Sequence, residues 1–242
     1  MNKRVDKNAL AKVPKEKTTQ DDIVYAHIFD AILEHRLAPG TKLNEESLSE
    51  IFGVSRTIIR RALSRLGHEQ VVVLRPNRGA VVASPSIEEA RQIVFARRLV
   101  EKAVTELVIE NAENAQLEKL KQLVTQEQSC FDRGDRGAGM RLSGEFHLRM
   151  AEMANNAPLL VFQRSLVSQC TLIIAQYESG AKTHCSYDEH FELIDAIRQR
   201  DKTKAVELMM LHIDHIENKL NLDDDAASDD LKTVFSNIFD NK

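Results

Sequence analysis

Cysteine is scarce in this 242-residue chain: only Cys130, Cys170 and Cys185 occur, an odd and widely spaced set with no Cys-x-x-Cys pair. That argues against a disulfide framework and for reduced thiols inside a cell. No run of 18 or more apolar residues exists, and the N-terminus lacks the apolar core of a signal peptide. The expectation is therefore a cytoplasmic protein with no membrane partner. Charge of one sign is also not in large excess, with 33 Lys and Arg against 37 Asp and Glu for a formal net charge of −4. The small total hides an asymmetry. Residues 1–85 carry 14 Lys/Arg against 10 Asp/Glu, a net of about +4, which leaves about −8 for the rest. An anionic polymer suits the first part only.

The most informative stretch runs Gly53-Val54-Ser55-Arg56-Thr57-Ile58-Ile59-Arg60-Arg61-Ala62-Leu63, followed by Arg75-Pro76-Asn77-Arg78-Gly79. Gly53 can take the positive φ that ends a preceding helix, and Ser55 is a good N-cap for a helix starting at Arg56. At roughly 100° per residue, Arg56, Thr57, Arg60, Arg61 and Ser64 fall on one half of that helix, with Ile59, Ala62, Leu63 and Leu66 on the other. One half suits a core and the other suits phosphates and base edges. On this reading Arg56 and Arg60 reach guanines or phosphates, with Ser55 and Thr57 adding phosphate contacts. The competing reading is a merely solvated basic face. Val71–Leu74 and Ala80–Ala83 flank the Arg75–Gly79 segment as a β-hairpin with a Gly-containing loop. Arg78 beside Gly79 suits insertion of a cation into a narrow minor groove.

Upstream, Ile23, Ala26, Ile28, Ile32 and Leu33 suit a helix over about 22–37 that Ala38-Pro39-Gly40 stops, and Asn44 caps a short helix carrying Leu48 and Ile51. Three helices plus a hairpin predict a winged helix-turn-helix over 21–84. Pro85 and the Ser86-x-x-Glu89 start open a second domain over 86–221. There the period is helical at about 87–111, 114–133, 138–155, 157–178, 187–200 and 202–221, with no hairpin signal. The fold class expected is mainly α, the winged domain followed by an antiparallel bundle of six or seven helices. Residues 1–20 read as a disordered basic arm, and 222–242 as an acidic tail with a possible short helix.

These residues resemble the GntR family of transcriptional regulators, FadR-like subgroup, with the all-helical FCD ligand-sensing domain at the C-terminus. The resemblance covers roughly residues 20–221 and rests on Pro39-Gly40, Leu43, Glu45, Leu48, Ser49 and Gly53 to Leu63. Ile58 stands at the usual Pro and Arg61 at the usual Glu, so the reading face gains a cation. Downstream it runs through Arg97-x-x-x-Glu101, Phe146-His147, Asn156, Glu189-His190 and Asp201-x-x-x-Ala205 to His212. It implies a divalent metal, Zn or Ni, held by His147, His190 and His212. The family's Asp ligand four residues before the first His is Ser143 here, so water, the effector or another side chain would complete the shell. Arg97 is the candidate to meet an anionic effector, with an intrahelical pair to Glu101 as its alternative.

The function expected is a homodimeric regulator, a repressor of a metabolic operon, that binds double-stranded DNA at an inverted-repeat operator. A small organic or sugar acid would modulate it. Two alternatives stay open: a metal-free sensor for an apolar or acyl effector, and a three-His metal hydrolase carried behind a DNA-binding module. The second lacks an evident general base, so the chain is expected not to be an enzyme.

Overall fold

The computed structural model describes residues 19–75, 79–178 and 187–222. Residues 1–18 of the expected basic arm, Arg78 of the wing and residues 223–242 of the expected acidic tail lie outside the described residues, while Thr19 and Gln20 begin the first helix.

Thr19 and Asp22 close a capping box that starts α1, Gln20–Leu33. The buried face of α1 is Val24, Tyr25, Ile28, Phe29 and Ile32, while Ile23 (46% exposed) and Ala26 turn outward, against expectation. The helix packs against three others, so its buried face is wider than one stripe and takes in the aromatic residues. It also ends before Pro39, because His35 adopts a φ of 57°.

The two-residue strand β1, Lys42–Leu43, leads to α2, Glu45–Phe52. Asn44 Oδ1 accepts from the backbone N–H groups of Glu46 and Ser47 at 2.9 and 3.0 Å, the cap expected. Ile51 is 74% exposed, so α2 is held through Leu48 and Phe52 instead. Gly53 takes the left-handed conformation (φ 62°) and turns the chain into α3, Arg56–His68. Strands β2, Val72–Arg75, and β3, Gly79–Val82, pair antiparallel, and β1 joins the far edge of β3 to give the order β1-β3-β2. A two-residue strand has no readable period, so the sequence pattern shows only the hairpin. Gly79 has a φ of 77°, and a Cβ there would sit 3.0 Å from the Leu43 carbonyl oxygen of β1.

The rest of the described chain is six helices: α4 Ile87–Asn111, α5 Asn114–Asp132, α6 Arg136–Met153, α7 Ala157–Tyr177, α8 Tyr187–Arg198 and α9 Lys202–Glu217. Ser86 and Glu89 form both halves of the capping box of α4, and Asn156 Oδ1 caps α7 at Leu159 N–H, 3.2 Å. Helix α7 is long and apolar enough by composition to cross a membrane, but here it is a core helix packed on α1, α4 and α6. Its Leu172 is fully buried in the core of the winged unit, where each such side chain contributes roughly 1.5–3 kcal/mol. Between the winged unit and the bundle, Ser165 Oγ donates to the Glu69 carbonyl at 2.8 Å and Arg141 of α6 pairs with Glu34 at 3.2 Å, while Tyr25 Oη donates to the Glu69 carboxylate at 2.7 Å. The reading helix and the bundle are thus in mechanical contact through α1 and α7.

Candidate functional site

The outer half of α3 is as the spacing predicts. Arg56, Thr57, Arg60 and Arg61 are exposed, and Ile59, Ala62, Leu63 and Leu66 are buried. Ser55 occupies the N-cap with extended geometry, and its carbonyl accepts the first helical bonds from Ile58 and Ile59. Its hydroxyl makes no capping bond, which leaves it available to a phosphate. The arginines are not simply solvated. Arg60 Nε donates to Glu45 Oε2 at 2.7 Å, and Arg56 Nη2 donates to Glu46 Oε1, both carboxylates belonging to the first turn of α2. Arg65 turns the other way, onto Asp22 at 2.6 Å and over the Tyr25 ring at 4.2 Å, so it serves the fold. Arg75 and Gly79 face each other across the hairpin, directly before and after the wing tip.

The second site lies inside the bundle. His147 of α6, His190 of α8 and His212 of α9 are 1–2% exposed, and one ring nitrogen from each lies within 4.8 Å of the others. His212 Nε2 and His147 Nε2 are 3.2 Å apart. Each ring presents Nδ1 to a different carboxyl group: His147 to Glu101 of α4 at 2.8 Å, His190 to Glu127 of α5 at 3.0 Å, and His212 to Glu189 of α8 at 2.7 Å. At His190 and His212 the carboxylate on Nδ1 fixes the tautomer with its lone pair on Nε2, whereas the close Glu101 contact of His147 Nδ1 lacks hydrogen-bond geometry. The buried His190 Nε2 has no protein partner. Phe146 stacks on the His190 ring with centroids 3.9 Å apart and holds its plane.

The electrostatics favour neutral rings at His147 and His212. Burial pushes His147 down to about 3 and His212 down to about 4, although Glu101 and Glu189 oppose the shifts. Burial works against the charge on Glu101 as well, but His147 and Arg97 hold its carboxyl well below the usual carboxylate range. Arg97, 4% exposed, pairs through Nε with Glu101 at 3.1 Å and also neighbours the buried Cys170 thiol. The intrahelical pair named as its alternative is thus formed. Buried, converging imidazole nitrogens are the donor set of a borderline divalent cation. Among the described residues the only cluster of His, Cys, Asp or Glu with this spacing is these three histidines.

Three residues of this site escape a reading by motif. Glu127 is fully buried with one oxygen unpartnered, Gln163 is fully buried with both amide atoms unpartnered, and Thr105 Oγ1 is buried and unpartnered. Glu189 bridges His212 and His215, so His215 orients a carboxylate and is 43% exposed itself. The legible signal is a polar residue inside an apolar stripe: Glu127 follows Leu117, Leu120 and Val124, and Gln163 precedes Val167 and Cys170. Orphaned buried polar atoms call for a partner.

Comparison with known proteins identifies the two domains that carry these sites. The model of the bacterial regulatory proteins of the gntR family matches residues 20–82, and that of the FCD domain matches residues 92–215. The HTH-type transcriptional repressor RspR of Escherichia coli (strain K12) is 25% identical over 202 residues, covering 81% of this chain and 87% of its own. The Uxu operon regulator of Haemophilus influenzae is 28% identical over 199 residues, covering 75% of this chain and 74% of its own. Among solved structures, E. coli McbR/YncC shares the fold with a TM-score of 0.72 at 20% identity, over 84% of this chain and 99% of that one.

Proposed function

The chain belongs to the GntR family of bacterial regulators, with an FCD domain, and is a DNA-binding transcriptional regulator, not an enzyme; from this premise we propose a homodimeric repressor of a metabolic operon, released by a small organic or sugar acid bound beside a divalent metal. The observation that carries the sensor reading is the convergence of three buried imidazoles, each with a carboxyl oxygen within 3.0 Å of its Nδ1.

Zn²⁺ or Ni²⁺ held by His147, His190 and His212 would supply a Lewis-acidic point for a carboxylate oxygen. The residues around it fit such a cation. Glu101 and Glu127 are both fully buried, and Arg97 is the single buried cation among the described residues beside them. A divalent ion offsets that excess of acidic groups, which is otherwise costly in a dry interior. Gln163 and Thr105 offer unpartnered polar atoms suited to the hydroxyls or second carboxylate of a hydroxy acid. Arg97 adds positive field that favours an anion. Ser143 brings no carboxylate to α6, which leaves room for the effector itself.

The sign of regulation is carried over from RspR, which is named a repressor. Dimerisation is supported by Phe95 and Leu99 on α4 with Val161 and Phe162 on the adjacent α7, all more than half exposed. An apolar face of this kind calls for a partner, and a second copy related by a two-fold axis would present two reading helices to an inverted repeat. Release would follow if the acid binds better to a state in which α6 and α7 move against α1.

Purified protein is expected to carry one bound Zn or Ni per chain by elemental analysis, and His190→Ala to lose it. A thermal-shift screen should find an organic or sugar acid that stabilises only the metal-loaded form and frees an operator duplex. Metal-free protein that responds equally well would favour the competing reading, a metal-free sensor, which the Ser143 position supports.

A further inference from the structure

The two arginines of the reading helix are held differently by the two carboxylates of α2. Arg60 makes one hydrogen bond among the described residues, from Nε to Glu45, so both terminal nitrogens are free. Arg56 makes its bond from a terminal nitrogen, to Glu46. The difference matters because a guanidinium reads guanine through a forked pair of N–H groups on O6 and N7, and the fork at its tip is made by the two terminal nitrogens. A carboxylate on Nε leaves that tip fork intact, and one on a terminal nitrogen competes with it. The exposures differ in the same sense: Glu45 is 25% exposed, against 65% for Glu46. Glu45 sits under Arg60 as a support, and Glu46 stands in solvent.

We propose that Glu45 is a positioning residue for sequence reading, holding Arg60 by Nε so that its fork meets one guanine in the major groove, while Arg56, with its fork occupied by Glu46, makes a one-point phosphate contact. The inference rests on the DNA-binding reading of α3 and assigns each arginine a separate job within it. Two physical effects follow from the Glu45 contact. Arg60 enters the groove already ordered, so less side-chain freedom is lost on binding. The carboxylate also repels phosphates, which discourages Arg60 from settling on the backbone of arbitrary DNA and widens the gap between specific and non-specific binding. Glu46 acts on Arg56 as a competitor that any phosphate, whatever the sequence, must displace.

The test starts from a randomised duplex library, from which the full-length parent protein selects its preferred site. Fluorescence anisotropy then measures parent, Glu45→Gln, Glu46→Gln and Arg60→Lys on the selected site, on the same site with each guanine replaced in turn, and on unrelated duplex. A thermal melt verifies that each variant is folded. Glu45→Gln should cut discrimination at one guanine of each half-site about tenfold while binding to unrelated duplex holds or rises. Arg60→Lys should lose discrimination at the same guanine. Glu46→Gln should tighten all duplexes by a similar factor. If Glu45→Gln keeps full discrimination, or changes every duplex equally, the proposal is overturned. A parent that selects no site at all refutes the DNA-binding reading itself, a distinct outcome.

Discussion

Replacing Glu127 by Gln separates a carboxyl group that serves a metal from one that merely fills a core. Glu127 is fully buried on α5, with Oε2 at 3.0 Å from His190 Nδ1 and Oε1 without a partner. In the metal-loaded protein this contact orients the ring and raises its basicity, and loss of such a contact typically weakens metal binding about 10–100-fold, roughly 1.4–2.7 kcal/mol. In the metal-free protein the sign reverses. There the acidic group is buried with one oxygen unpartnered, and the amide exchanges it for an unpartnered neutral NH2, which costs less than an unpartnered charged group, by roughly 1 kcal/mol. At about 2–4 °C per kcal/mol for a chain of this size, the metal-free variant should melt a few degrees above the metal-free parent. The added stability on saturating Zn²⁺ should be smaller than the parent's. Zinc titration against a chromophoric chelator and paired melts with and without EDTA measure both effects. Parent-like zinc affinity, or a melting temperature lowered by the same amount in both forms, would refute the reasoning and leave Glu127 as a packing residue.

Two further substitutions probe the frame around the reading helix. Gly79→Ala forces a Cβ onto a residue with φ 77° and to within 3.0 Å of the Leu43 carbonyl, so denaturant unfolding should show a loss of about 1–2 kcal/mol from the backbone conformation alone, with β1 released from β3. Tyr25→Phe removes the hydroxyl that donates to Glu69 at the boundary of α1, α3 and α7. Hydrogen bonds to charged groups contribute about 1.5–3 kcal/mol, and partial exposure here favours the lower end. Burial raises the Glu69 carboxyl above its ordinary value even with the Tyr25 bond in place. The folded state therefore binds that proton more tightly than the unfolded chain, and its stability falls as pH rises through the raised value. Loss of the hydroxyl raises it further. The Tyr25→Phe penalty should be full near neutrality and shrink as pH falls toward the ordinary carboxylate range, and a penalty independent of pH would contradict the assignment.

Much of the architecture was legible because it is written locally. The Ser86/Glu89 capping box, the Asn44 cap and the left-handed Gly53 each depend on residues within one turn, and helical period marked all six bundle helices to within a few residues. The reading failed where burial depends on more than one neighbour. Ile51 and Ile23 are apolar and exposed, since the stripe that counts is set by what packs against the helix. The strand β1 was invisible, since two residues carry no period. At the candidate sites, the three histidines were found by position in a family pattern, whereas Glu127, Gln163 and Thr105 needed the packed core to show that their polar atoms stand alone.

By itself, the sequence determined the type of protein: the turn, cap and cationic face from Gly53 to Leu63 form within a single helix-turn-helix, through backbone bonds and side-chain spacing that no distant residue needs to supply. Only the tertiary structure decided what those side chains do. His147, His190 and His212 lie on three different helices and meet only because the bundle packs α6, α8 and α9 together. Arg56 and Arg60, alike by sequence, are told apart by which nitrogen each gives to a carboxylate of α2. Periodicity can say which face a residue occupies, but a contact distance depends on how two elements are placed against each other, and packing sets that placement.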